Sequence, residues 1–171
     1  MLSNISDWEV FFLAISKALK KLLDAQKVKY EAKKHKEAFT AQEIAAATHI
    51  PGDTLAKVVV AKAKEGFFLA VLPASFRIDM KKLKSAVGAA GDIKIATEAE
   101  FKGLFPDCEV GAMPPFGTVY NLPTVVDKSL EVDEKIAFNA GTHKELVKMK
   151  FADFKAVEKP RIAQFGYNPD K

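Results

Sequence analysis

Apolar residues near the start of the chain recur at helical spacing. Trp8, Phe11, Phe12, Ile15, Leu19, Leu22 and Leu23 make one stripe, with Lys17, Lys20, Lys21, Asp24 and Lys27 on the other side. Ser6 and Glu9 have the spacing of a capping box, in which each side chain bonds the other's open backbone N–H, and Ile5 and Val10 can form the flanking staple. The pattern predicts a helix over 6–26. Its aromatic stripe needs a cover, either the rest of the domain or a second copy of the chain.

The same capping signature at Thr40/Glu43 and Thr97/Glu100 predicts helices over Ala41–Thr48 and Glu98–Leu104, with Pro51 and Gly52 ending the first. Lys57–Ala63 and Phe67–Pro73 are β-branched or aromatic runs joined through Lys64-Glu65-Gly66, a hairpin signal. Asp79 caps a short helix reaching Val87. Ile93–Ala96, Thr124–Asp127, Lys135–Asn139 and Leu146–Lys150 read as strands and Phe151–Glu158 as a last helix; the polar residues from Pro160 read as a loose tail. Strands and helices alternate without βαβ regularity, which favours an α+β domain with a mixed sheet, preceded by the N-terminal helical extension. No repeat or linker divides the chain, so one domain of 171 residues is expected.

Composition adds setting rather than fold. Hydrophobic residues are 49% and charged residues 28%, which excludes a disordered or collagen-like chain. The uncharged run from Val10 to Ser16 is too short to span a bilayer and has no signal-peptide flanks. A lone Cys108 cannot form an internal disulfide, and three histidines make a poor ligand inventory, so no metal or other cofactor is expected and a reducing cytoplasm is. The net charge of +4 is uneven. Lys17 to Lys36 holds eight lysines against Asp24 and Glu31, a balance of +6, leaving −2 elsewhere. The chain has only two arginines, Arg77 and Arg161. Lysine is a point charge suited to phosphate backbones, whereas arginine suits reading base edges. A nucleic-acid partner held by its backbone is therefore compatible with this composition, and so is a merely solvated helix face.

Phosphate-loop, dinucleotide, zincin and nucleophile-elbow patterns are absent. Cys108 with His143 is one formal nucleophile–base pair, against the commoner reading of a small buried thiol. Two features stand out. Gly111-Ala112-Met113-Pro114-Pro115-Phe116-Gly117 lies in a long irregular stretch, where glycines allow close approach and prolines stiffen the loop. Its backbone N–H groups can hold a carboxylate, phosphate or oxyanion, or the loop is a rigid structural turn. Lys57 opens an otherwise apolar strand, which puts its ammonium either in a cleft or in solvent.

Five strings then resemble the YbaK/prolyl-tRNA-synthetase-associated editing domain family. They are His49-Ile-Pro-Gly-Asp-Thr-Leu-Ala-Lys57, Ala70-Val-Leu-Pro-Ala-Ser75, Phe76-Arg-Ile-Asp79 with Lys82-Leu83, Gly111 to Gly117, and Phe138-Asn-Ala-Gly-Thr-His143, all in the family's order. The resemblance implies a mixed, barrel-like sheet with surrounding helices. It divides the chain into a helical extension at 1–27, an editing domain at 28–159 and a polar tail at 160–171. It also implies a free-standing aminoacyl-tRNA deacylase that hydrolyses the ester of tRNA mischarged with a small amino acid such as alanine, serine or cysteine. The ribose hydroxyl of the substrate would orient the attacking water.

By position, Lys57 matches the family's functional lysine, Gly111–Pro115 its Gly-x-x-x-Pro loop, and Gly141, Thr142 and His143 a segment near the pocket. Val58, Met113 and Phe116 are expected to bound the acyl pocket. Where many members carry a hydroxyl or amide residue after the lysine, this chain has Val58, which leaves open a non-catalytic tRNA- or ligand-binding module. The implied partner is aminoacyl-tRNA, with or without a synthetase, met by a monomer or homodimer and away from membranes. Lys17, Lys20, Lys21 and Lys27 are the candidate contacts to its phosphates.

Overall fold

A computed structural model describes residues 15–171. Eight strands form one mixed sheet. In spatial order they are β1 (Tyr30–Lys34), β8 (Glu145–Lys150), β7 (Lys135–Asn139), β2 (Leu55–Ala63), β3 (Gly66–Pro73), β6 (Thr124–Asp127) and β9 (Arg161–Ala163), with β5 (Lys94–Ile95) also on β2. A separate ribbon pairs β4 (Arg77–Ile78) with β10 (Gly166–Tyr167). β2–β3, β1–β8 and β7–β8 are antiparallel, whereas β2–β7, β3–β6 and β6–β9 are parallel.

Among the described residues five helices flank the sheet: α1 (Lys17–Ala25), α2 (Ala41–Thr48), α3 (Met80–Val87), α4 (Glu98–Phe101) and α5 (Phe151–Glu158). Both expected capping boxes form, at Thr40/Glu43 and Thr97/Glu100. Asp79 Oδ1 accepts from the Lys81 and Lys82 N–H groups at the start of α3. Alternation along β2 divides the core. Ala56 and Val60, with Val58 partly buried beside them, face α1, α5 and the 111–117 loop. Leu55 and Ala61 face the clusters beneath α2 and α3.

Three expectations change. First, the N-terminal helix does not run through from residue 6 to 26. Ser16 is the N-cap of α1, its hydroxyl accepting from Leu19 N at 3.3 Å, so a new helix starts at Lys17. The proposed Ser6/Glu9 cap, Trp8, Phe11 and Phe12 lie outside the described residues. Ile15, Leu19 and Leu23 are buried against this same chain, among Phe138, Met149 and Phe154. Burying each is worth ~1.5–3 kcal/mol, so the described part of the stripe is covered internally.

Second, β1 is a strand that the lysine run conceals. Val28, Tyr30 and Ala32 alternate onto the core while lysines face outward. Third, the residues after Pro160 are not a loose tail. β9 pairs with β6, and Phe165 is fully buried beside Leu83. The buried Asp127 carboxylate accepts from Phe165 N at 2.9 Å and Gly166 N at 2.6 Å.

Candidate active site

Lys57 sits where two of the core clusters meet. Leu55, two residues earlier on the same face, belongs with Ala38, Ile44, Ala137 and Leu146 under α2. Its cross-strand neighbour Leu72 belongs with Leu83 and Phe165 under α3. The ladder between β2 and β7 ends at the Ala56–Phe138 rung, and that between β2 and β5 begins at Ala61. Lys57 therefore starts the stretch where β2 loses its parallel neighbour. The next residue of β7 is Asn139, its last, one step past that rung.

The Lys57 Nζ donates to the Phe76 carbonyl at 2.5 Å. Burial, and then the nearby Arg77 charge, push its pKa below the ordinary lysine value. Asn139 Oδ1 is buried and has no hydrogen-bond partner among the described residues. Held on one part-buried carbonyl, the Lys57 ammonium keeps donors to spare for the carbonyl oxygen of an ester, and the buried Asn139 amide oxygen is an acceptor left over among the described residues. In the sequence Asn139 lies within the Phe138–His143 string with no role of its own. Its signal was a single amide ending an otherwise apolar strand, Ile136-Ala-Phe-Asn139.

The Gly111–Gly117 loop is held from both sides. Gly111 is exposed at φ +86°, and Ala112 through Gly117 are buried. Gly141 N donates to Ala112 O at 2.9 Å and Glu109 N to Gly141 O at 2.8 Å, which ties the loop to the segment after β7. Gly141 is at φ +107°, and a Cβ there would lie 3.1 Å from both Ser16 N and Ser16 Cβ, so glycine is required by conformation and space alike. His143 Nε2 bonds the Val110 carbonyl at 2.8 Å, so that nitrogen carries the proton, and its backbone N–H donates to Glu109 Oε2 at 3.1 Å. Thr142, half-buried between them, accepts from Lys144 N at 3.3 Å through Oγ1.

The two readings of the loop, anion nest and rigid turn, differ in whether its N–H groups are free. The N–H groups of Gly111, Ala112 and Gly117 are spent on Met113 Sδ, Glu109 O and Thr124 Oγ1, and Pro114 and Pro115 have none. The loop is thus mostly a shaped wall rather than an open anion nest. Val58, Met113 and Phe116 also do not share a face with the Lys57 side chain. Successive strand residues alternate, so Val58 packs with Met113 and Phe116 on the opposite side of the sheet. Phe116 is fully buried edge-on to Phe138 and Phe154 at 5.6 and 5.1 Å, which makes it core.

Cys108 is not paired with His143. Its Sγ lies by Tyr120 Oη at 3.1 Å and Asp107 Oδ1 at 3.4 Å, and burial pushes its pKa up to about 12, so it is no ready nucleophile. Asp107 also accepts from Ser16 Oγ at 2.5 Å and Ala18 N at 3.2 Å, joining the start of α1 to the stretch before the loop. Of the basic residues on α1 and just after it, Lys17, Lys21 and Lys27 are exposed, and Lys20 bonds Asp24 at 2.7 Å. No group of three or more His, Cys, Asp or Glu among the described residues could hold a metal. No described helix is long and apolar enough to cross a membrane. A cleft of about 1020 Å³ lies at the far end of β2, between the β2–β3 turn, the end of α3 and residues Glu158–Arg161. It is remote from Lys57, and size alone does not outweigh the donor–acceptor set there.

Comparison with known proteins bears on this geometry. Residues 35–157 match the model of the aminoacyl-tRNA editing domain. The multifunctional Ser/Thr-tRNA deacylase ProXp-y of Escherichia coli K12 is 35% identical over 115 residues, covering 64% of this chain and 68% of that protein. Among solved structures, the hypothetical protein APE2540 superposes with a TM-score of 0.80 at 18% identity, over 88% of this chain and 100% of that one. A protein proposed to be a trans-editing enzyme for prolyl-tRNA synthetase gives 0.76 at 21%, over 89% and 96%. The structures share the fold, and the family match spans Lys57, the Gly-x-x-x-Pro loop and the segment that clamps it: this chain belongs to the aminoacyl-tRNA editing domain family.

Proposed function

We propose that the chain is an aminoacyl-tRNA deacylase acting in trans on tRNA mischarged with a small amino acid, at a site centred on Lys57. The observation that carries the reading is the half-buried Lys57 ammonium, held on the Phe76 carbonyl one residue past the last β2–β7 rung and inside the stretch that matches the editing-domain model. An aminoacyl ester offers a carbonyl oxygen and an α-ammonium. The Phe76 carbonyl and Asn139 Oδ1 suit the ammonium, and Lys57 suits the carbonyl oxygen as it becomes an oxyanion. Water attacks the carbonyl carbon, the tetrahedral intermediate collapses, and the C–O bond to the ribose breaks, releasing the amino acid and leaving the proton on the ribose oxygen. With Cys108 held protonated, water is the nucleophile, and the neighbouring ribose hydroxyl orients it.

The Gly111–Gly117 wall, clamped by Gly141 and His143, backs the strand and fixes where Lys57 stands. Because Val58 faces away from Lys57, its apolar character is no argument for a non-catalytic module. Leu55, Leu72 and Ala137 crowd the lysine's face, which favours small side chains. Serine and threonine, named for the Escherichia coli relative, are the first cargoes to try. Lys17, Lys21 and Lys27 serve as backbone-phosphate contacts, sequence-independent and salt-sensitive. The test is hydrolysis of a panel of mischarged tRNAs. Activity on seryl-, threonyl- or alanyl-tRNA, with leakage among them because one methylene is worth only ~1–3 kcal/mol, supports the reading. Activity confined to bulky aromatic esters refutes the small-cargo part, and no hydrolysis anywhere refutes the whole.

A further inference from the structure

We propose that Phe39 is a stacking platform for the nucleobase at the 3′ end of the tRNA and so a positioning residue for the ester at Lys57. The proposal rests on the deacylase reading and adds to it a partner-binding surface. Phe39 is 63% exposed, an unusual place for a phenyl ring beside a run of lysines. It is also fixed. Its backbone N–H donates to Glu43 Oε2 at 2.8 Å within the cap of α2, and the preceding Ala38 N–H donates to His143 O at 3.1 Å. One side of the ring leans on the His143 imidazole, centroids 4.6 Å apart and tilted by 46°, while the rest opens to solvent. The same imidazole holds Val110 O and lies against Gly111, the exposed first residue of the loop. A flat apolar surface thus stands at the rim of the candidate site, backed by a buried ring instead of a mobile side chain.

The deacylase reading supplies the occupant, the base next to the scissile ester. Lys36 is exposed in the turn after β1, while Lys33 Nζ donates to the Thr48 carbonyl at 3.1 Å and Lys144 pairs with Glu37 at 3.7 Å. Glu43 caps α2 and Glu109 accepts from His143 N, so both carboxylates are turned to the backbone. An exposed, fixed aromatic face suits a flat base, because stacking supplies affinity whatever the base. Ala38, the residue before Phe39, packs with Leu55 on the Lys57 face of the sheet, so a base stacked on Phe39 stands at the rim of that face.

The test uses the full chain with Phe39→Trp and Phe39→Leu. Trp8 is common to all variants, so the fluorescence difference between Phe39→Trp and wild type reports position 39. Titration with adenosine 5′-monophosphate and with a CCA trinucleotide should quench that difference, and ribose 5-phosphate should not. Phe39→Leu keeps an apolar contact to His143 but cannot stack. Its kcat/KM on mischarged tRNA should fall about 5- to 150-fold, chiefly through KM, with Phe39→Trp retaining most activity. Quenching is read without hydrolysis, so a chain that deacylates nothing but shows base-dependent quenching keeps the platform and loses only the reaction. Absence of quenching together with unchanged kinetics in Phe39→Leu overturns the proposal. So does a dimer that Phe39→Leu dissociates without any nucleotide effect, since Phe39 would then be a contact between copies.

Discussion

Replacing Gly117 with alanine should damage the loop and the activity together. Gly117 begins a short 3₁₀ turn at the end of the loop, donating its N–H to Thr124 Oγ1 at 3.1 Å and accepting from Leu122 N at 2.9 Å. Thr124 Oγ1 in turn donates to the buried Glu158 Oε1 at 2.6 Å, which also accepts from Thr118 N at 3.1 Å. A Cβ at residue 117 would fall inside contact distance of Leu122 O and Thr124 Oγ1, with the Leu122 carbonyl carbon at 3.1 Å. The first is backbone and the second is tied to Glu158, so neither yields freely. Forcing the turn out costs ~1–3 kcal/mol in overpacking and another ~1–3 kcal/mol if the Gly117–Thr124 bond is lost with its groups buried. The sum, ~2–6 kcal/mol, lowers the melting temperature by ~4–24 °C for a chain of this size. Displacing Pro114–Phe116 also shifts the wall behind Lys57, so kcat/KM should fall at least ~10-fold even where the variant is folded. Calorimetry and single-turnover deacylation measure both, with Gly103→Ala as control because nothing lies within 4 Å of its added Cβ. A Gly117→Ala protein with the melting temperature and rate of wild type would refute this account of the loop.

Two further outcomes follow from buried groups. Phe165→Ala should cost ~3–5 kcal/mol, or ~6–20 °C in melting temperature, because that ring is fully buried beside Leu83; a loose C-terminal tail would be indifferent. Glu145 and Glu158 have pKa values raised by burial, so each favours the folded state below the unfolded value near 4.5 and loses that contribution as pH rises through its folded value. Glu145→Gln should therefore gain stability relative to wild type as denaturant melts are moved from about pH 4 to pH 8; a pH-independent difference would count against the assignment.

The sequence made some of this architecture legible for identifiable reasons. Thr40/Glu43, Thr97/Glu100 and Asp79 announced their helices because a cap is a local contract between side chain and backbone. β6 and β7 were legible as apolar runs bounded by turns. β1 was hidden because only Val28, Tyr30 and Ala32 touch the core, and the intervening charges mimic a solvated helix face. β9 and β10 were hidden because their burial depends on a distant partner: Asp127 reaches Phe165 and Gly166 across 38 and 39 residues. At the site, Lys57 and the Gly-x-x-x-Pro loop stood out by type and motif, but the side of the sheet each faces did not. Alternation along β2 settles that Val58 is core-facing when Lys57 is not. Asn139 is informative only once its amide oxygen is seen buried without a partner among the described residues, and Phe39 only once His143 is seen behind it.

The most direct test of the central claim is single-turnover hydrolysis of seryl- or alanyl-tRNA by Lys57→Ala, with melting temperature measured on the same preparation. Lys57 donates to one carbonyl at a half-buried strand position, so its loss should leave the protein folded. If its ammonium stabilises the oxyanion, the rate should drop by ~100-fold or more, as for removal of an oxyanion donor. A folded Lys57→Ala protein that hydrolyses the ester at the wild-type rate would contradict the claim.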